Sequence, residues 1–446
     1  MSSKLALFGG PMAMIAGEDE QKAIVHWPII TKEVEDAVLE VLRVGGMSKT
    51  DVAVKFEEEF AKWNGNKYAL VFNNGTSALL AAMFACHLGC GDEIIAPSVT
   101  YWASVIPAYS LGATVVFADI DPKTLCINPA DIEKRISPKT KAIMVVHYMG
   151  HPADMDGIMA VAKKHNLKVI EDISHAQGGL YKGRKLGTFG DVSAISLMSG
   201  KSLPAGEGGI LVTDNLECYE RAIAAGHYDR FDSRITTESL KPIAGLPLLG
   251  FKGRLNQMSA AVGRVQLKYN DERTAQIRKA LNYFWDLLEG TPGIRAHRVN
   301  EAEKSNMAGW YAPHGLYFPE ELEGLSVTRF CEAVSAEGVP ILPGCNTPLH
   351  THPLFISADI YNQGKPTRIA NASRDVRELD KSLPVSEVIE SRCFSVPWFK
   401  QYKPELIQQY AECFKKAALN YRELLKDDPG NPEIIGGWST YTRLGN

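Results

Sequence analysis

Residues 168–201, KVIEDISHAQGGLYKGRKLGTFGDVSAISLMSGK, decide how the chain folds. The apolar runs at 168–172 and 191–197 are too short for helices and are flanked by glycines and charges, so both are predicted as strands. Each run ends in polar residues. Glu171-Asp172 closes the first, with His175 just beyond, and Ser196 in the second leads to Lys201. Strands apolar along their whole length belong to sheets covered on both faces.

The same texture extends on either side. Helical periodicity over 32–43 and 51–63 precedes strand YALVF (68–72), a helix opening at Thr76 and strand EIIAP (93–97). A helix from about 101, strand 113–119, helix 129–136, strand 142–146 and helix 156–165 follow, and GILVTD (209–214) reads as a further strand. This alternation predicts an α/β fold with a mostly parallel sheet, whose ligands bind beyond the carboxyl ends of the strands. A long helical pattern covers 255–289; beyond it Pro and Gly become denser, until a terminal helix at about 404–426. A chain of 446 residues is too long for one ordinary core. A large domain over 1–290, including the N-terminal segment, and a smaller α+β domain over 291–446 are therefore expected.

Composition narrows the function classes. A net charge of −4, with no basic cluster interleaved with aromatics, argues against nucleic acid. No apolar run is long enough to cross a membrane. Gly9-Gly10-Pro11 interrupts the apolar start, which therefore does not read as a signal peptide. The 8 cysteines are scattered without paired CxxC motifs, so free thiols (Cys86 and Cys90 buried on a helix) and a cytoplasmic setting are expected. His147 and His151 flank Gly150 without an HExxH glutamate, and no metal is expected there.

Chemistry gathers at strand exits. Gly75 and Thr76, in Asn74-Gly-Thr-Ser77, open a helix whose free N–H groups suit an anion. Tyr101, beyond Pro97, offers a ring that can stack on a planar ligand. Asp172 can hold a protonated pyridine nitrogen, and Lys201, flanked by glycines, can form an imine with an aldehyde. Each has a plainer reading alone: a capped turn, a packed aromatic, a solvated carboxylate, a surface lysine. Their order along the chain makes the chemical reading the stronger one.

With these runs in view, residues from about 27 to 267 resemble the DegT/DnrJ/StrS aminotransferases, the sugar-aminating branch of fold-type I pyridoxal phosphate (PLP) enzymes. The runs are FNNGTSALLAA, GDEIIAPSVTYWAS, GATVVFADID, KVIEDISHAQG, GDVSAISLMSGKSLPAGEGGILVTD and RLNQMSAAVGRVQL, with PLHTHPLF, LPVSE and SVPWF later. The resemblance implies a PLP Schiff base on Lys201, which also shuttles the proton, with Asp172 on the pyridine nitrogen and His175 near the ring hydroxyl. It also implies Tyr101 stacked on the ring, and Gly75, Thr76 and Ser196 on the phosphate. It implies a homodimer with shared active sites. Lys252 takes the place of an Asn that in many relatives reaches the neighbouring subunit's cofactor phosphate, and His350 is a candidate substrate contact.

The implied reaction is ping-pong transfer of an amino group from glutamate or glutamine to a keto-sugar or keto-cyclitol. The alternatives are a nucleotide-sugar aminotransferase of polysaccharide biosynthesis, a PLP-dependent dehydratase and a non-catalytic PLP-binding regulator. Family dehydratases carry His at the lysine position, so Lys201 argues against that reading. The surroundings of Lys201, SGKSLPAGEGG, lean towards the cyclitol and aminobenzoate-type members.

Overall fold

The computed structural model describes residues 4–378 and 381–438. Its centre is a seven-stranded sheet. In chain order the strands of the first half are β1 (Tyr68–Phe72), β2 (Glu93–Pro97), β3 (Thr114–Ala118), β4 (Thr140–Val146), β5 (Lys168–Asp172), the short hairpin pair β6 (Leu180–Tyr181) and β7 (Arg184–Lys185), β8 (Val192–Ser196) and β9 (Gly209–Thr213). The sheet runs β1-β9-β8-β5-β4-β2-β3. Pairings from β8 through β5, β4 and β2 to β3 are parallel, whereas β9 lies antiparallel to both β8 and β1. Helical crossovers make the parallel pairings. The stretch 197–208 contains no helix, so β9 can only return alongside β8 in the opposite sense.

Most of the anticipated elements stand where the pattern put them, and three differ. In place of a helix from 101 there is a 3-10 turn at Trp102–Ser104 and a four-residue helix at Pro107–Ser110. Pro107 lacks the N–H an uninterrupted helix would need. The pattern over 255–289 divides at Tyr269 into helices Gln257–Lys268 and Asn270–Leu287. The terminal helix runs Pro404–Leu419 and is followed by short turns. Cys86 is buried as expected, but Cys90 is exposed, because the helix that buries Cys86 ends before it. Among the described residues no helix is long and apolar enough to cross a membrane.

A second core collects helices Asn270–Leu287, Val327–Ala336 and Pro404–Leu419 around β10 (Ile294–Ala296), β11 (His314–Tyr317) and β12 (Cys393–Ser395). Leu5, Met14 and Ile24 pack here, away from the large sheet with which the sequence grouped them. The fully buried Glu337 carboxylate accepts from the N–H groups of Ala6 (2.8 Å) and Ala13 (2.9 Å) and from Lys416 Nζ (2.8 Å), strapping the N-terminal segment to this core.

The free edge of β3 is closed by side chains. Arg368 Nε donates to the Val115 carbonyl (2.9 Å), and the Phe117 N–H donates to Glu378 Oε1 (3.2 Å). The two side chains form a bidentate pair (2.6 and 2.7 Å) and are almost wholly buried. They meet groups of an exposed edge that would otherwise template another strand. Removing one partner leaves a buried uncompensated charge. Arg368→Leu is therefore expected to cost about 3–5 kcal/mol in denaturant unfolding; a loss under about 1 kcal/mol, the range of a surface pair, would show that the edge does not depend on it.

Candidate active site

The exits of β1, β2, β5 and β8 converge on one cavity of about 320 Å³. Gly75, Thr76, Tyr101, Asp172, His175, Ser196 and Lys201 all line it. Lys252 and His350 do not. Lys252 is exposed, 5.6 Å from the Tyr228 ring centre. His350 Nδ1 bonds Ser98 Oγ at 2.6 Å, behind the strand exit that carries Tyr101.

At the exit of β1, Asn74 caps helix Gly75–Ala85 by accepting from the Ser77 N–H (2.8 Å), leaving the first helical N–H groups facing the cavity without partners in the helix. Gly75 is required by a close approach: a Cβ there would lie 2.8 Å from Ser196 Cβ.

β5 ends in adjacent carboxylates with different tasks. Glu171, fully buried, accepts from His147 Nε2 (3.1 Å) and from the N–H groups of Gly187 (2.9 Å), Phe189 (2.8 Å) and Gly190 (2.7 Å). These partners hold its carboxyl below the usual range despite the opposing effect of burial. Asp172 points to the cavity. Ser104 Oγ donates to its Oδ2 (2.8 Å) and the Ser174 N–H to its Oδ1 (3.0 Å). His147 is thus occupied by a carboxylate, and His151 stacks on His297 at 5.1 Å.

His175 is kept neutral by burial, reinforced by the Lys201 charge. The Met149 N–H donates to its Nδ1 at 3.2 Å, which puts the ring proton on Nε2. Lys201 itself is buried, and burial pulls its pKa to about 7 against the opposing pull of Asp172. Its Nζ lies 3.8 Å from the Tyr311 ring centre. Gln177 holds the strand exit and the lysine loop together. Its Nε2 donates to the Ser196 carbonyl (2.5 Å), and its Oε1 accepts from Ser202 Oγ (2.8 Å) and the Leu203 N–H (2.7 Å).

Sequence reasoning missed Ser104, Ser174, Gln177, Trp27 and Tyr311. Ser104 lies in the same strand-exit run as Tyr101, and Gln177 within SHAQG, so the runs themselves carried that signal. Trp27 and Tyr311 come from remote segments with no local mark.

The depressed pKa has a measurable sign. Between about pH 7 and 10.5 the unfolded chain binds a proton at Lys201 that the folded chain does not. The destabilisation is therefore full below pH 7 and fades as pH rises, by roughly 1.4 kcal/mol per unit at most. Lys201→Met is expected to be more stable than wild type at pH 7, with the gap closing towards pH 10 in denaturant melts. A gap independent of pH would contradict the burial-lowered pKa.

The chain has relatives among known proteins, in sequence and in fold. Residues 28–415 match the DegT/DnrJ/EryC1/StrS aminotransferase family. L-glutamine:2-deoxy-scyllo-inosose aminotransferase of Streptoalloteichus tenebrarius is 34% identical over 347 residues, 74% of this chain and 80% of that one. GDP-perosamine synthase of Caulobacter vibrioides is 35% identical over 342 residues, 76% and 88% of the two chains. The crystal structure of an aminotransferase from Psychrobacter cryohalolentis superposes with a TM-score of 0.77 at 30% identity, covering 89% of this chain and 99% of that one.

Proposed function

The chain belongs to the DegT/DnrJ/EryC1/StrS aminotransferase family, and from that premise we propose that it carries PLP on Lys201 and moves an amino group from glutamate or glutamine to the ketone of a sugar or cyclitol. The observation that carries this reading is the Lys201 amine, buried near neutrality in one cavity with the doubly held Asp172 carboxylate.

The residues present fit the cofactor. Gly75 packs so closely on Ser196 that a Cβ would collide with it, and this brings both residues, with Thr76 at the N-terminus of helix Gly75–Ala85, to the wall of the cavity. Gly75, Thr76 and Ser196 would hold the phosphate there. Asp172 would hold the pyridine nitrogen, Tyr101 would cover a ring face, and His175 would offer Nε2–H to the ring hydroxyl. When bound, PLP supplies an electron sink for charge left on the substrate carbon. Lys201 Nζ, which burial brings to a pKa of about 7, would carry the proton between that carbon and the carbon of the bound cofactor. The Asp172 carboxylate cannot swing away, because Ser104 and the Ser174 N–H fix its oxygens.

A homodimer fits the surface. Leu39, Leu42, Val44 and Met47 are exposed between residues 39 and 47, and Leu246 and Leu248 are exposed in the stretch that also bears Lys252. Apolar groups exposed in this number suit a second copy, and Lys252 would then point a cation at the neighbouring phosphate. Leu246→Asp combined with Leu248→Asp is expected to shift the protein to monomer in sedimentation. An unchanged dimer would place the interface elsewhere, and a wild-type monomer would remove the assembly from the proposal.

The inosose aminotransferase relative supports a cyclitol ketone. The GDP-perosamine synthase relative supports a nucleotide-linked sugar as the second reading. Lys201 disfavours the dehydratase reading. With PLP, purified protein is expected to show a visible absorption band that bleaches with glutamate or glutamine. Lys201→Ala should lose the band and lower turnover by at least about a hundredfold. Protein that stays colourless would overturn the proposal, and a band that no amino donor bleaches would mark a binder without transfer chemistry. Gly75→Ala is expected to weaken PLP binding by about tenfold or more, the consequence of roughly 1.4 kcal/mol of lost contact; an unchanged Kd would move the phosphate site elsewhere.

A further inference from the structure

Distant parts of the chain enclose Lys201 from behind. Trp27, in the N-terminal segment, donates through Nε1 to the Lys201 carbonyl at 2.9 Å. Trp398 donates through Nε1 to the Gly309 carbonyl at 2.9 Å and stands edge-on to Tyr311 with ring centres 5.3 Å apart. Tyr311 is the ring against which the Lys201 amine rests. The two indoles are 6.4 Å apart, and Lys400 joins them: its Nζ lies directly over Trp398 and 4.5 Å from the centre of Trp27. The Lys400 N–H donates to the Ile24 carbonyl at 2.8 Å, so the same residue ties down the segment that carries Trp27.

Lys400 is only 4% exposed, and its Nζ has no hydrogen-bond acceptor among the described residues. An amine buried without a carboxylate or carbonyl is unfavourable to charge, and burial holds this one well below the ordinary lysine value. An alkyl side chain would fill the same volume without that cost. What an alkyl chain would lack is N–H groups to set against both indole faces at once, and that contact holds the rings in place.

We propose that Lys400 is a positioning residue for Lys201: set against Trp27 and Trp398, it fixes the indole that holds the Lys201 main chain and the indole that backs Tyr311, and so keeps water from the Lys201 amine. The inference rests on Lys201 being the reactive amine. The titratable groups that line the cavity with that amine are Tyr101, Asp172, His175, Glu207 and Tyr311, all of which the proposed variants leave in place.

The test uses the whole protein without cofactor and a probe that needs none. Reductive methylation with formaldehyde and cyanoborohydride is run across pH, and the Lys201 peptide is read by mass spectrometry. Wild type is expected to show a midpoint at about 7. Lys400→Met and Trp27→Phe are expected to raise it by about one unit as water reaches the amine. Lys400→Arg, which keeps N–H groups against the indoles, should restore the wild-type midpoint. A Lys400→Met protein that melts earlier but titrates as wild type would show a purely structural role and overturn the proposal. So would Lys400→Arg shifting the midpoint as far as Met does. If Lys400→Met does not fold, Trp27→Phe decides, and an unmoved midpoint there overturns it too. Capture of PLP on Lys201, trapped with borohydride, is measured in parallel. No capture by wild type with a midpoint near 7 sinks the functional reading alone.

Discussion

The pleat of β5 forces its last two carboxylates to opposite faces, and the site depends on that alternation. Glu171 is turned into the protein, where His147 and the turn at 187–190 saturate it. Those bonds anchor the connection that leads into β8, and so govern where Ser196 and Lys201 emerge. Asp172, one residue on, is thereby presented to the cavity in a fixed orientation. A slip of one residue would place the saturated carboxylate in the cavity and bury the other without partners. The register of one strand thus sets both the stability of the connection and the electrostatics facing Lys201.

Much of this was legible because it is local. Strands β1, β2 and β5 were read to the residue, since short apolar runs bounded by glycine and charge leave little freedom. The line-up of Gly75, Tyr101, Asp172, Ser196 and Lys201 was legible for the same reason: in a sheet of this kind, strand exits share an edge. What escaped was non-local. Tyr311, Trp27 and Lys400 meet Lys201 or its aromatic wall from far along the chain, and nothing in their neighbouring residues marks it. The short turn at Trp102–Ser104 escaped because apolar residues at helical spacing are also what a buried irregular segment needs. His350 looked exposed to substrate in sequence, yet its ring is held against Ser98. The cover on β3 is built by one arginine and one glutamate from an irregular stretch, a device with no periodic signature.

Polar groups do more of the positioning here than their number suggests. Gln177 ties the β8 exit to the loop after Lys201, Ser104 aims Asp172, and Glu337 straps the N-terminal segment. Each is buried or partly buried with its bonds made, the condition under which a polar side chain specifies a geometry.

The strap at Glu337 also bears on the order of assembly. During synthesis the large sheet, complete by Thr213, can close while the ribosome is still making the rest of the chain. Residues 6–24 are made before the sheet, but their anchors are Glu337, Lys400, Gln409 and Lys416, all made after it. A segment made before the sheet is therefore among the last to find its place. Trp27 travels with it, so the wall behind Lys201 is completed only after helix Pro404–Leu419 has left the ribosome. Until then the Lys201 amine lacks the wall that Trp27 and Trp398 build behind it.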